Sequence, residues 1–207
     1  MKKHDVYEII IAISKEIARK REGALFLIAD SEKIKKIYKP LFPQIHRQFK
    51  INEQGSGKVI EKLATLDGAV LISDKGIFMA YGAKLSKSQP VHGHGTKHAA
   101  ASGTTSYLKD STAILVSEED NFIKVFQRGK IILEMDSYEN PKALEDKIIS
   151  FISEGDTALL TAAGVSAAIL GSAIIGPLAV VGGTYLAIKT AGGVIKKNWN
   201  ALVNKKH

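Results

Sequence analysis

Apolar positions recur every three or four residues at Val6, Ile9, Ile10, Ile13 and Ile17, then give way past Gly23 to the unbroken run Ala24-Leu25-Phe26-Leu27-Ile28-Ala29. The first spacing predicts an amphipathic helix, and the second a strand covered on both faces. Asp30-Ser31 offers side-chain oxygens to cap a short helix through Ile37, and Pro40 and Pro43 then break the chain into a connecting loop. Helical spacing returns at Val59, Ile60, Leu63 and Leu66. Beyond it, Ala69-Val70-Leu71-Ile72 and Ile77-Phe78-Met79-Ala80 flank Ser73-Asp74-Lys75-Gly76, the pattern of a β-hairpin. Further strands are expected at Thr112 to Ser117, Phe122 to Phe126 and Lys130 to Glu134, the last two joined by Gln127-Arg128-Gly129, with a closing helix from Pro141 to Ile152. This order predicts an α/β fold, a mixed central β-sheet flanked by helices.

The pattern changes near Gly155-Asp156. From Thr157 to Ile188 the only ionisable group is the Tyr185 phenol, and after Lys189 the uncharged run resumes to Ile195. A membrane span takes roughly 20 apolar residues, and this stretch has room for a pair, with Gly176-Pro177 near its middle. The expectation is a Gly/Ala-rich apolar helical hairpin, Thr157 to Gly176 and Pro177 to Ile195. Small residues such as Gly164, Ala167, Ala168 and Gly171 would let its helices approach closely. Lys196, Lys197, Lys205 and Lys206 would lie on the cytosolic side, and Trp199 at the interface. A buried helical hairpin in a soluble fold is the other reading of the same residues. The expected organisation is an α/β domain over 1–137, a connecting helix over 138–155 and the membrane-like tail over 156–207. Glu8, Lys15 and Glu16 interrupt the first apolar stretch, which therefore lacks the core of a secretory signal. Localisation is expected at the cell membrane, with the first domain in the cytosol.

Composition narrows the chemistry. The chain has no cysteine, which excludes a disulfide framework, a thiolate nucleophile and Cys-based metal sites. Lys and Arg number 29 against 21 Asp and Glu, a net charge of +8 that suits phosphate-bearing ligands, nucleic acid or an anionic membrane face. No recognised nucleic-acid motif accompanies that charge, and the basic residues beside the tail have a membrane explanation. Nucleic acid is not an expected partner.

Three segments carry candidate chemistry. In Leu66-Asp67-Gly68-Ala69 a carboxylate sits where a helix gives way to a strand. Such a group can bind a divalent cation or take a proton from a hydroxyl, and Gly68 lets a ligand approach the backbone, although Asp-Gly also makes ordinary turns. Gly93-His94-Gly95-Thr96-Lys97-His98-Ala99-Ala100-Ala101 places backbone N–H groups, a hydroxyl and cationic donors at the start of a helix, as a polyphosphate requires. Its residue order is not that of a P-loop. His92, His94 and His98 can also be read as metal ligands or as solvated loop residues. Ser117-Glu118-Glu119-Asp120 puts carboxylates at a strand end, suited to Mg²⁺ or Mn²⁺ or equally to a solvated turn.

In order and separation, Leu66 to Ile72, Gly95 to Ala101 and Val116 to Glu119 resemble the diadenylate cyclase (DAC) domain, the catalytic module of the DNA-integrity-scanning protein and its membrane-bound relatives. The resemblance covers roughly residues 5 to 137, and the layout is similar to that of archaeal-type members. It implies condensation of two ATP molecules into cyclic di-AMP with release of two pyrophosphates, dependent on a divalent metal, Mg²⁺ or Mn²⁺. It also implies a homodimer or higher homo-oligomer in which domains meet face to face. By the same resemblance Asp67, Lys97 and His98 are the catalytic residues, with Asp67 and Glu119 at the metal. Gly68, Ala69, Gly95, Thr96, Lys97, His98, Ser117, Glu118 and Glu119 bind the nucleotide. The family's Arg-His-Arg stands here as Lys97-His98-Ala99, which keeps a charge without the bidentate fork at 97 and removes the cation at 99. That departure motivates a second expectation: a catalytically weak nucleotide sensor, binding an adenine nucleotide or cyclic dinucleotide, that acts on the tail as a membrane effector.

Overall fold

The computed structural model describes residues 1–45, 47–88, 95–135, 137 and 142–154, together with the backbone of 178–181, 185–190 and 193–198. The amphipathic stripe at the start of the chain forms helix α1 (Lys3–Arg19), which buries Val6, Ile10, Ile13 and Ile17. The apolar run after Gly23 is strand β1 (Ala24–Ala29), buried along its whole length. Asp30 caps the four-residue helix α2 (Ser31–Ile34), accepting from the backbone N–H groups of Glu32 and Lys33. This helix is shorter than expected, because a turn at Lys35-Lys36 already carries Ile37 into the core. An edge strand, β2 (Tyr38–Pro40), precedes the loop and helix α3 (Ser56–Ala64).

Strands β3 (Ala69–Ser73) and β4 (Phe78–Leu85) form the expected hairpin, closed by Gly76 at φ +75° and by the Ser73 hydroxyl, which accepts from Ile77 N–H at 2.9 Å. Then come α4 (Thr96–Tyr107), β5 (Thr112–Val116), β6 (Ile123–Gln127), β7 (Lys130–Met135) and α5 (Lys142–Glu154). In the sheet, β7-β6-β5-β1-β3-β4-β2 are neighbours in that order; β1 runs parallel to β3 and antiparallel to β5.

Helices cover both faces. On one, α1, α3 and α5 pack on Phe26, Ile28, Val70, Ile72, Ile114 and Val116. On the other, α2 and α4 pack on Leu25, Leu27, Leu71, Ala113, Leu115 and Phe126. The double coverage explains why the central strands read as continuous apolar runs rather than as alternation. The helix expected as a connector, α5, sends Ile148, Ile149 and Ile152 into the first of these cores.

A buried polar chain ties the first face together. Tyr7 donates to the Thr112 hydroxyl at 2.8 Å, and Gln127 Nε2 donates to the same oxygen at 3.0 Å and to the Ile152 carbonyl at 2.9 Å. Burial, the dominant influence, together with the charge of Asp74 and against the pull of the Thr112 hydrogen bond, pushes the Tyr7 phenol from 10.0 up to about 12. The folded chain thus keeps a proton that the unfolded chain releases at lower pH. Stability is therefore expected to fall as pH rises from 10.0 towards 12, by on the order of 1 kcal/mol per unit. Urea unfolding at the two ends of that window checks it: the loss should shrink in Tyr7→Phe, and an equal loss in both proteins would refute this origin.

Of the expected helical hairpin, 156–177, 182–184, 191–192 and 199–207 lie outside the described residues. The pieces described between them, β8 (Leu178–Val181), β9 (Tyr185–Thr190) and β10 (Gly193–Asn198), continue the sheet beyond β7. Their β-branched residues, such as Val180, Val181, Ile188, Val194 and Ile195, suit a pleated strand. Among the described residues no helix is long and apolar enough to cross a membrane.

Candidate functional site

The pairing registers gather the sequence motifs at one edge of the sheet. Ala24 at the start of β1 faces Val116 at the end of β5, and Phe26 faces Val70 in β3. Asp67-Gly68, Gly23 and Ser117-Glu118-Glu119 therefore emerge side by side, with β1 in the middle. Two strand spacings separate the outer pair, about 10 Å.

Beside β5, a cavity of about 300 Å³ is lined by Gly95, Thr96, Lys97, His98, Leu115, Val116, Ser117, Glu118 and Glu119. The second and third motifs, about twenty residues apart in sequence, are thus one site. The first N–H groups of α4 have no partners within the helix, and its first turn holds no acidic residue. This helix end is suited to an anion. Its register against the sheet is held from the far side, where Ser102 donates to the Gly129 carbonyl at 2.8 Å and Gly129 N–H donates to Thr105 at 3.1 Å.

Within the cavity, His98 is buried with its ring edge-on to Phe126 at 5.9 Å, so it forms part of the wall. Lys97 donates to Glu118 at 3.0 Å. Thr96 and Glu119 are exposed. Asp120 is committed to its own turn, accepting from Phe122 N–H at 3.0 Å and from the buried Lys124 at 2.5 Å. Burial raises its carboxyl, but hydrogen bonds from Lys124, Phe122 N–H and Ser117 outweigh it and hold the group below the usual carboxylate range. With Glu118 paired to Lys97, Glu119 is the carboxylate of this turn left to a ligand among the interactions described.

Across β1, Asp67 is exposed, and its Oδ1 accepts only the local Gly68 N–H at 2.9 Å among the hydrogen bonds described. Gly68 has φ +91°, and a Cβ there would lie 2.6 Å from the Gly82 carbonyl carbon. Ala69 is buried at the start of β3. Sequence reasoning missed two residues beside the site, one in each half. Phe42, partly exposed, stacks on Tyr81 and occupies the space above Gly82, while Gly23 makes room for Glu118. Neither has a local motif; both contacts come from chain segments that only the fold brings together.

Among the described residues no three His, Asp or Glu gather into a metal cluster, and His92 and His94 lie outside them. The donors present, Asp67 and Glu119, are hard oxygens on opposite sides of β1. That set fits a cation held by one or two carboxylates together with substrate phosphates, the usual Mg²⁺ arrangement, and does not fit an all-protein cage.

Three comparisons relate the chain to known proteins. The chain is 33% identical over 142 residues to a diadenylate cyclase of Haloferax volcanii, covering 64% of this chain and 51% of that protein. It is 30% identical over 141 residues to a diadenylate cyclase of Methanocaldococcus jannaschii, covering 63% and 45%. The chain thus spans about half the length of the curated relatives it matches. Among solved structures, a double cysteine mutant of DacA from Staphylococcus aureus shares the fold with a TM-score of 0.50 at 19% identity, over 73% of this chain and 97% of that one. A family model matches residues 12–131, more than half of the sequence, and takes in both halves of the site: the chain belongs to the DAC family, DisA bacterial checkpoint controller nucleotide-binding.

Proposed function

We propose that this chain is a diadenylate cyclase, which joins two ATP molecules into cyclic di-AMP and releases two pyrophosphates. The observation that carries the reading is the single cavity in which the start of α4 meets the carboxylates after β5, on the same sheet edge as Asp67. Thr96, Lys97 and the leading N–H groups of α4 hold phosphate oxygens, with Gly95 leaving the approach open and His98 forming the wall. Asp67 and Glu119 would hold a divalent cation, which when bound neutralises charge on the phosphates and makes the 3′-hydroxyl more acidic. In each transfer a 3′-oxygen bonds to an α-phosphorus as the bond to pyrophosphate breaks, and Asp67 receives the hydroxyl proton. Ring closure takes two such transfers. A second copy of the chain, presented face to face, supplies the second nucleotide.

The uncharged stretch 157–177, about the length of one span, supports a membrane tether for this domain. A second reading, the nucleotide sensor, draws support from Ala99, which places a small buried side chain where the family's motif has a cation.

The test is incubation of the purified chain with ATP and Mn²⁺ or Mg²⁺, with cyclic di-AMP followed by mass spectrometry. Product is expected. Bound ATP without product would move the sensor to the front, and no binding would refute both. Extraction of the chain from cells without detergent would overturn the tether.

A further inference from the structure

Glu118 lies over the backbone of Gly23. A Cβ at that glycine would fall 2.2 Å from Glu118 Oε1 and 2.3 Å from its Cγ, so the bare α-carbon is the seat on which this side chain rests. Gly23 is not among the glycines at positive φ. What the position requires is therefore space rather than unusual backbone. From this seat Glu118 accepts a hydrogen bond from Lys97 Nζ at 3.0 Å. Lys97 is the ammonium among the residues lining the cavity. Its partner is largely exposed, so the pair sits at the cavity mouth.

We propose that Glu118, seated on Gly23, is the internal counter-charge of Lys97, a positioning residue that holds the ammonium at the mouth until a polyphosphate displaces it. This rests on reading the cavity as a polyphosphate site. A lysine has a flexible stem and no planar fork to fix its direction, so a carboxylate anchored elsewhere supplies the aim that an arginine would carry in its own geometry. The same carboxylate repels an incoming anion. Its loss should therefore tighten anion binding while slowing turnover, an opposition that a purely structural residue would not produce.

Calorimetric titration of inorganic triphosphate into the full chain, in metal-free buffer of low ionic strength, tests this without relying on activity. Removing one charge beside the anion, as in Glu118→Ala or Glu118→Gln, is expected to tighten binding about fivefold. Gly23→Ala keeps every charge but unseats Glu118, and should shift affinity in the same direction. Added to Glu118→Ala, it should do nothing more, because the seat is already empty. An equal effect of Gly23→Ala in both backgrounds would overturn the proposal, as would weaker binding in either Glu118 variant. Should Gly23→Ala fail to fold, the sign of the Glu118→Gln change decides. A wild-type chain that binds no triphosphate would instead remove the polyphosphate reading itself.

Discussion

Replacing Asp67 by Asn is expected to lower cyclic di-AMP formation at least about a hundredfold, the scale on which losing one charge-stabilising contact acts, with stability changed by no more than about 0.5 kcal/mol. The contrast follows from where Asp67 stands. Its side chain is exposed, and an amide oxygen can accept the Gly68 N–H as the carboxylate does at 2.9 Å, so the turn loses little. What disappears is the negative charge, and with it the means to hold a cation and to receive a proton. Product measured by mass spectrometry, alongside urea unfolding of the same variant, gives both numbers. Turnover surviving within tenfold of wild type would take Asp67 out of the site.

Gly68→Ala should damage fold and activity together. At φ +91° any side chain is strained, a cost of about 1–3 kcal/mol. The new methyl group would also meet backbone at 2.6 and 2.8 Å, from Gly82 and Ala83, rather than a side chain able to swing away. Neither partner can retreat easily, since the Phe42 ring lies over Gly82 and Ala83 pairs with Ala69. A total loss of about 3 kcal/mol or more is expected, with Asp67 displaced because it immediately precedes the strained residue. Gly57→Ala is the internal comparison: it lies in α3 with nothing within 4 Å of the added group, and should stabilise by about 0.5–1 kcal/mol. Equal unfolding curves for the two variants would show that the approach of β4 does not constrain position 68.

Much of the layered fold was legible, for reasons specific to each segment. The stripe from Val6 to Ile17 and the runs at 24–29, 69–72 and 112–116 were readable because burial there is uniform along one helix face or complete on both strand faces. Strand β2 was not readable: it has three residues, one of them Pro40, and lies at the sheet edge, where little is buried and one face of the backbone needs no ladder donor. The hairpin strand β4 continued five residues past the expected Ala80, because Gly82 and Lys84 break its apolar pattern while backbone pairing persists to Leu85.

At the site, residue types were visible and proximity was not. Lys97 and Glu118 are 21 positions apart, and what joins them is the placement of α4 beside the end of β5. The role of Gly23 left no trace at all, since a missing side chain announces nothing about which neighbour uses the room.

The two halves of the site hang on β3 and β5, with β1 hydrogen-bonded to both. Their lateral distance is consequently a whole number of backbone ladders, fixed by hydrogen-bonded strand spacing. Changes in the loop after β2 or in the approach to α4 would alter what each half grips, leaving the interval between them untouched. On the proposed function, a ligand that engages both halves has to match an interval set by backbone, whatever side chains line it.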